Sequence, residues 1–238
     1  MIVLEKLTKT YYRKGIKTVI ADNIDAVFPT GQSVALLGPN GAGKSSLLRM
    51  IAGTMLPSSG SVLTDGSISW PVGFAGSFHK ELTGAQNVRF VARIYGVDTN
   101  SLVDYVEDFA DLGRNFHKPF GTYSSGMRSR LAMGTSMGIE FDTYLVDEVT
   151  SVGDAAFKAK SQAVFADRMR NSSSIVVSHS MPFIRKTCTM GAVLHHGKLK
   201  IFDDVLKAIS FYKRSSFGSL RRAEPETDDD AEDMDASF

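Results

Sequence analysis

Three short stretches carry residue types that can do chemistry together. Gly38-Pro39-Asn40-Gly41-Ala42-Gly43-Lys44-Ser45 satisfies G-x-x-x-x-G-K-[ST] in full. A triphosphate needs a backbone that turns tightly and aims successive N–H groups inward, and glycine permits that turn. The helix that follows presents its positive end. Lys44 adds a charge near the β- and γ-phosphates, and the Ser45 hydroxyl can ligate Mg²⁺. Downstream, Asp147-Glu148 ends an apolar run. Asp147 can hold Mg²⁺ through water, and Glu148 can orient or deprotonate the water attacking the γ-phosphate. Alone, this pair would read as an acidic strand end. The third stretch is Tyr123-Ser124-Ser125-Gly126-Met127. The Ser124 hydroxyl and the Gly126 N–H at a helix start form a second phosphate-binding feature, or simply a serine N-cap. One site on one chain does not need two such features, whereas a head-to-tail dimer does. His179 ends a further apolar run and can bond the γ-phosphate and the attacking water. His195 and His196 lack a partner motif and read as structural.

These residues need elements to position them. Ser33–Leu37 reads as the strand before the loop, and Ser46–Gly53 as the helix after it. Ile2–Leu7 and Thr18–Phe28 read as strands separated by a polar loop from Lys9 to Lys17 that holds Tyr11 and Tyr12. Pro29-Thr30-Gly31 is a turn, Pro57-Ser58-Ser59-Gly60 a break, and Asp65-Gly66 a hairpin turn. Residues 76–142 change to helical periodicity. A capping box, Thr83-x-x-Gln86, opens a helix with Val88, Val91, Ala92 and Tyr95 near one face and Gly96 at its end. Leu102, Val106, Phe109 and Leu112 mark a second helix closed by Gly113, and Ser124–Gly138 a third. Strands return at Thr143–Val146 and Ser174–Ser178, with a helix at Ala155–Met169 between them. A late hairpin around Gly197 and a helix from Asp204 to Tyr212 complete the pattern. Alternation of this kind predicts an α/β core with helices on both faces of the sheet.

The 238 residues suffice for one sizeable domain. No run approaches the roughly 20 apolar residues of a membrane span, and Glu5 and Lys6 fall where a signal peptide needs an apolar core. One cysteine, Cys188, rules out an internal disulfide, which fits a cytosolic location. Charge is uneven. Residues 218–238 carry two arginines and eight acids, 2 − 8 = −6, which leaves +7 of the net +1 on residues 1–217. That tail has too few apolar residues to fold by itself and is expected to be solvated and disordered, or to meet a basic partner. The core's balance is too small to signal nucleic acid, so none is expected as a partner.

Taken in order, the motifs resemble the ATP-binding subunits of ABC transporters over about residues 1–213. The resemblance implies a P-loop NTPase core with an N-terminal antiparallel β subdomain and an inserted helical subdomain at about 76–142. It implies ATP and Mg²⁺ as ligands, with Tyr11 or the adjacent Tyr12 stacked on adenine. Pro39, Asn40, Ala42 and Ser46 belong to the loop that holds the phosphates, Ser125 adds a backbone N–H, and Asp154 of Ser151-Val152-Gly153-Asp154 helps join two dimer halves. Ile68-Ser69-Trp70-Pro71-Val72-Gly73, Asn87-Val88-x-Phe90-Val91-Ala92-Arg93, Thr122 to Arg130 and Val146 to Thr150 are most similar to capsular polysaccharide export ATPases of the ABC-2 class. O-antigen and teichoic-acid exporters are similar too, many with an additional C-terminal domain. The resemblance implies a homodimer on the cytoplasmic side of a bacterial inner membrane. Its partners would be two permease copies and periplasmic or outer-membrane export components. Phe74, Phe78 and Phe90, between Trp70 and Tyr95, lie where the family receives a short helix of the permease, or else are core. Two departures stand out. The signature reads Tyr-Ser-Ser-Gly-Met in place of Leu-Ser-Gly-Gly-Gln, and His79 occupies the glutamine-loop position, where it would meet metal or water.

Overall fold

A computed structural model describes residues 1–13, 15–73, 76, 78–147 and 154–220. Two sheets organise it. The first is antiparallel, with strand order β2-β1-β4: β1 (Ile2–Arg13), β2 (Ile16–Phe28) and β4 (Ser59–Thr64). The second has six strands in the order β5-β6-β7-β3-β8-β9: β3 (Ser33–Leu37), β5 (Ile68–Pro71), β6 (Thr143–Asp147), β7 (Ser173–Val177), β8 (Met190–His195) and β9 (Lys198–Phe202). Its pairs are parallel except β8 with β9. A parallel sheet is covered on both faces, so its strands are apolar throughout, and β3 and β7 are buried at every residue.

Strand period two splits β3 between two cores. Val34 and Leu36 face a core built with Ile2, Leu4 and Leu7 of β1 and with Leu47, Leu48, Met50 and Ile51 of helix α1 (Lys44–Ile51). Ala35 and Leu37 face the core of the remaining helices: α2 (Gly84–Tyr95), α3 (Thr99–Ala110), α4 (Ser125–Gly138), α5 (Ala155–Asn171), α6 (Met181–Thr187) and α7 (Val205–Leu220). The expected helices on both faces are therefore uneven. One face carries α1 and the antiparallel sheet, the other nearly all the rest.

Three local expectations are corrected. Lys9–Lys17 is not a loop: β1 and β2 continue as a hairpin, with Tyr11 opposite Thr18 and Tyr12 opposite Lys17. Thr10, Tyr11 and Tyr12 are strand-favouring residues, and Gly15 at φ 80° makes the turn. Asp65-Gly66 is not a hairpin turn but the crossing from one sheet to the other. The Asp142 carboxylate accepts from both N and Oγ of Ser67, at 2.8 Å each, and draws the chain to the edge of β6. Those bonds, the hydroxyl's first, hold the Asp142 carboxyl below its usual range. Ser59 and Gly60 start β4 and are not part of the break. The helical expectations hold closely except that α7 runs past Tyr212 to Leu220. The Thr83 box caps α2 from both sides, and α2 ends at Gly96 in the left-handed conformation. α3 closes earlier, on Asp111 at φ 48°, so Leu112 is buried but lies outside it.

Candidate active site

The loop from Gly38 to Lys44 leaves the carboxyl end of β3, at the centre of the parallel sheet, the place where open α/β sheets take ligands. Two of its glycines are forced by neighbours. A Cβ on Gly38 would lie 2.4 Å from the Leu194 carbonyl oxygen, and one on Gly43, at φ 101°, would lie 2.1 Å from Ile20 Cγ2. So β8 and β2 crowd the loop from outside, and only a bare backbone fits. Gly43 is also the N-cap of α1 and offers no side-chain cap. The first turn of α1 has no acidic residue, which leaves its positive end uncompensated. Lys44 Nζ donates to the carbonyls of Gly38 at 2.7 Å and Pro39 at 3.0 Å, folding the ammonium back over the loop. Ala42 N donates to Pro39 O at 3.2 Å. Asn40 and Ser45 are exposed, and Ser46 is half-buried. A side-chain-free cradle, an unneutralised helix start and a poised ammonium together fit a phosphate chain.

Parallel strands bring other candidates to the same edge. β7 lies between β3 and β6. Ala35 pairs with Val176, so three further residues bring Gly38 level with His179, which is exposed just past β7. Asp147 pairs with Val177 and is half-buried at the end of β6. Two strand spacings put β6 about 10 Å from β3, which suits contact with a cation through water. Glu148, together with Ser151, Val152 and Gly153, lies outside the described residues, as does Phe74. Tyr11 donates its hydroxyl to Met55 Sδ at 3.1 Å and takes the Lys9 ammonium over its ring. Tyr12 on the opposite side is far more exposed, at 75% against 39%.

His79 is exposed, and its segment is held by Asn87, an almost fully buried residue of α2. Asn87 Oδ1 accepts from His79 N at 2.8 Å, and Nδ2 reaches the carbonyls of His79, Leu82 and Thr83 at 3.1, 3.2 and 3.0 Å. His79 Nδ1 accepts from Glu81 N at 3.3 Å. In a neutral ring Nε2 then carries the proton. Such a histidine donates to an oxygen, whereas ligating a cation through Nε2 would need Nδ1 to surrender that acceptor role.

The start of α4 is built by Tyr123. This residue is buried and donates to the carbonyls of Asn115 at 2.7 Å and Phe116 at 3.2 Å. Burial pushes its phenol pKa up. Gly84 makes room, since a Cβ there would lie 2.3 Å from the Tyr123 oxygen. Ser124 Oγ accepts from Met127 N at 3.2 Å, so the N-cap role is real. Ser124 and Ser125 are nonetheless exposed, the first turn is free of acids, and the space beside Gly126 is open. Met127 packs against the helical core, which explains an apolar residue where the wider pattern has glutamine. Arg130 was not singled out in the sequence. Its guanidinium lies 4.6 Å from the Phe157 ring, and Nη2 bonds Asp154 Oδ2 at 2.7 Å. Asp154 Oδ1 also caps α5 by accepting from Phe157 N at 2.9 Å. That backbone N–H first, then Arg130, holds the Asp154 carboxyl below its usual range. A pattern of Asp three residues before Phe at a helix start signals the cap, but nothing in the sequence pairs it with Arg130. Trp70 packs on Tyr95 and Phe141, Phe78 is buried on Phe120, and Phe90 is exposed.

Comparison with known proteins agrees with this geometry. The ABC transporter family model matches residues 21–151. The chain is 47% identical to the polysialic acid transport ATP-binding protein KpsT of Escherichia coli, over 90% of this chain and 99% of that one. It is 41% identical to the capsule polysaccharide export ATP-binding protein CtrD of Neisseria meningitidis serogroup B (strain ATCC BAA-335 / MC58), over 89% and 98%. Among solved structures, a dimeric post-hydrolysis state of the ATP-binding cassette MJ0796 bound to ADP and Pi superposes with TM-score 0.70 at 20% identity, covering 86% of this chain and 99% of that one. Phosphate loop, sheet order, inserted helices and end-to-end relatives agree: the chain belongs to the ABC transporter family, as its ATPase domain.

Proposed function

We propose that this chain is the ATP-hydrolysing subunit of a capsular polysaccharide exporter, working as a homodimer against two copies of an integral-membrane permease on the cytoplasmic side of a bacterial inner membrane. The observation that carries this is the match to KpsT, which runs nearly the full length of that relative. Among the described residues no helix is long and apolar enough to cross a membrane.

The chemistry is transfer of the γ-phosphoryl group to water, which depends on positioning and charge stabilisation. The Gly38–Ser46 loop binds the phosphates, Lys44 turns its ammonium from the loop carbonyls toward the β- and γ-oxygens, and Tyr11 receives the adenine. Ser45 and Asp147 would hold Mg²⁺, which when bound offsets charge building on the phosphate oxygens. Glu148 aligns the attacking water and takes its proton, and His179 bonds the γ-phosphate from the neighbouring strand. His79 donates to an oxygen at the same edge. Ser124, Ser125 and Gly126 act on the nucleotide held by a second copy, and Asp154 sits beside that contact. Glu148→Gln should bind ATP and dimerise while turnover falls at least about 100-fold. ATPase assays with and without detergent-solubilised permease, and rescue of surface polysaccharide in a cell lacking its own ATPase, test the assignment. Near-normal turnover of the variant would remove Glu148 from the chemistry, and failure to restore capsule with activity intact would reject the cargo.

A further inference from the structure

The far side of the molecule from the phosphate loop carries a basic, aromatic groove that hydrolysis does not use. Lys200, Phe202, Leu206, Lys207, Ser210, Phe211 and Arg214, from β9 and α7, line about 500 Å³ of space. The Phe202 and Phe211 rings lie 5.2 Å apart, and Lys200 Nζ sits over both, at 5.4 and 4.8 Å. Those rings are its interactions among the described residues. Lys207 and Arg214 are two turns apart on one face of α7, and both are exposed. Among the described residues Lys207 pairs with Asp203, at 3.1 Å. Arg214 donates from Nε to the Ser210 carbonyl at 3.4 Å. Three cations on a shallow aromatic floor, met by one carboxylate among the described residues, form a surface for an acidic chain.

We propose that the occupant is this chain's own acidic segment, Glu224 to Asp235, folded back along α7. Eight of its twelve residues are acids: Glu224, Glu226, Asp228, Asp229, Asp230, Glu232, Asp233 and Asp235. The reach is sufficient. α7 is described as far as Leu220, and Arg214 and Lys207 lie about 9 and 20 Å back along its axis from there. About six extended residues span that 20 Å, and the acidic segment has twelve. Docking sets carboxylates against Lys200, Lys207 and Arg214.

The test is the acylation rate of individual lysines in the full chain, read by mass spectrometry. At about 0.05 M salt, Lys200 and Lys207 should label roughly threefold slower than in a variant whose eight tail acids are changed to amides. The difference should vanish at about 0.5 M salt, while Lys9 and Lys198, which lie off the groove, keep one rate. The variant leaves residues 1–220 untouched, so misfolding does not confuse the comparison. A second variant, K200Q with R214Q, should abolish protection of Lys207 with the tail intact. Equal rates in the two chains would overturn the proposal. So would protection that grows with protein concentration, because the occupant would then be another copy's tail.

Discussion

Asn87 tests whether the His79 segment is a built part of the site. Its amide makes one acceptor bond to His79 N and three donor contacts to carbonyls. Two N–H hydrogens serve those three carbonyls, so about three bonds are made at once, each worth about 1 kcal/mol net. Asn87→Ala should therefore cost about 3 kcal/mol. In a domain of this size that lowers the melting temperature by about 6–12 °C. Asn87→Asp is nearly isosteric and keeps the acceptor for His79 N, but sets a carboxylate against three carbonyl oxygens. Burial and those oxygens raise the folded pKa of the introduced group above its unfolded value of about 3.9. Its penalty is thus small below about pH 4 and grows as pH rises through the folded pKa. Calorimetric melting at about pH 8 and pH 5, with the wild type measured alongside, reads both effects. The gap between N87D and wild type should be at least as large as that of N87A at the higher pH and narrower at the lower. An N87A melt within about 2 °C of wild type, or an N87D gap independent of pH, would refute the reasoning.

Three further outcomes follow from close contacts. Gly43→Ala places a methyl 2.1 Å from Ile20 Cγ2 in a left-handed backbone. It should weaken binding of a fluorescent ATP analogue at least about tenfold, with partial rescue by Ile20→Ala, because the strain of positive φ remains. Gly138→Ala sets a Cβ 2.5 Å from Leu102 Cδ1 and 2.7 Å from Tyr105 Cδ1, between α4 and α3. It should leave the analogue's affinity unchanged but weaken ATP-driven dimerisation of the E148Q background, seen by size-exclusion chromatography. Burial pushes the Cys188 thiol up to about 12. That raised pKa favours the folded state fully below the unfolded value of about 8.5, and the benefit is lost as pH rises toward the folded one. Between about pH 9 and 11 the wild type should therefore lose melting temperature faster than Cys188→Ala.

Legibility in the sequence followed the range of the forces involved. The phosphate loop, the Thr83 box and the Ser124 cap are local, with side chain and backbone target within three residues, and each appears where the spacing put it. The Lys9–Lys17 stretch misled because its lysines and arginine read as loop while strand-favouring Thr10, Tyr11 and Tyr12 set the conformation. Asp65-Gly66 misled for a different reason. A turn dipeptide says that the chain reverses but not which sheet receives it, and the answer lies in Asp142, 75 residues from Ser67. Asn87 was visible only as part of a family-like run, since the contacts of one side chain with His79, Leu82 and Thr83 leave no periodic trace. Arg130 is separated from Asp154 by 24 residues, and that pairing arises only when α4 and α5 pack.

That last pair bears on how the two halves of the proposed catalytic unit communicate. The phosphate loop is anchored in the core of β1 and α1, and the Ser124 end of α4 in the core of the helices. β3 joins these cores by alternation alone, Val34 and Leu36 to one side, Ala35 and Leu37 to the other. A packed sheet leaves little room for adjustment there, whereas packed helices can slide past one another. Arg130 and Asp154 join α4 to the start of α5. Arg130 is fixed on α4, lies over Phe157 of α5, and shares the Asp154 carboxylate with the first turn of α5. Asp154 is therefore tied within its own chain, to the helix that begins with Ser124. If it contacts a second copy, as the proposed dimer requires, a shift of the partner would act on α4 through the bond from Arg130 and on α5 through the bond from Phe157 N. The arginine then works as a positioning residue, making the Ser124 end respond to what Asp154 meets.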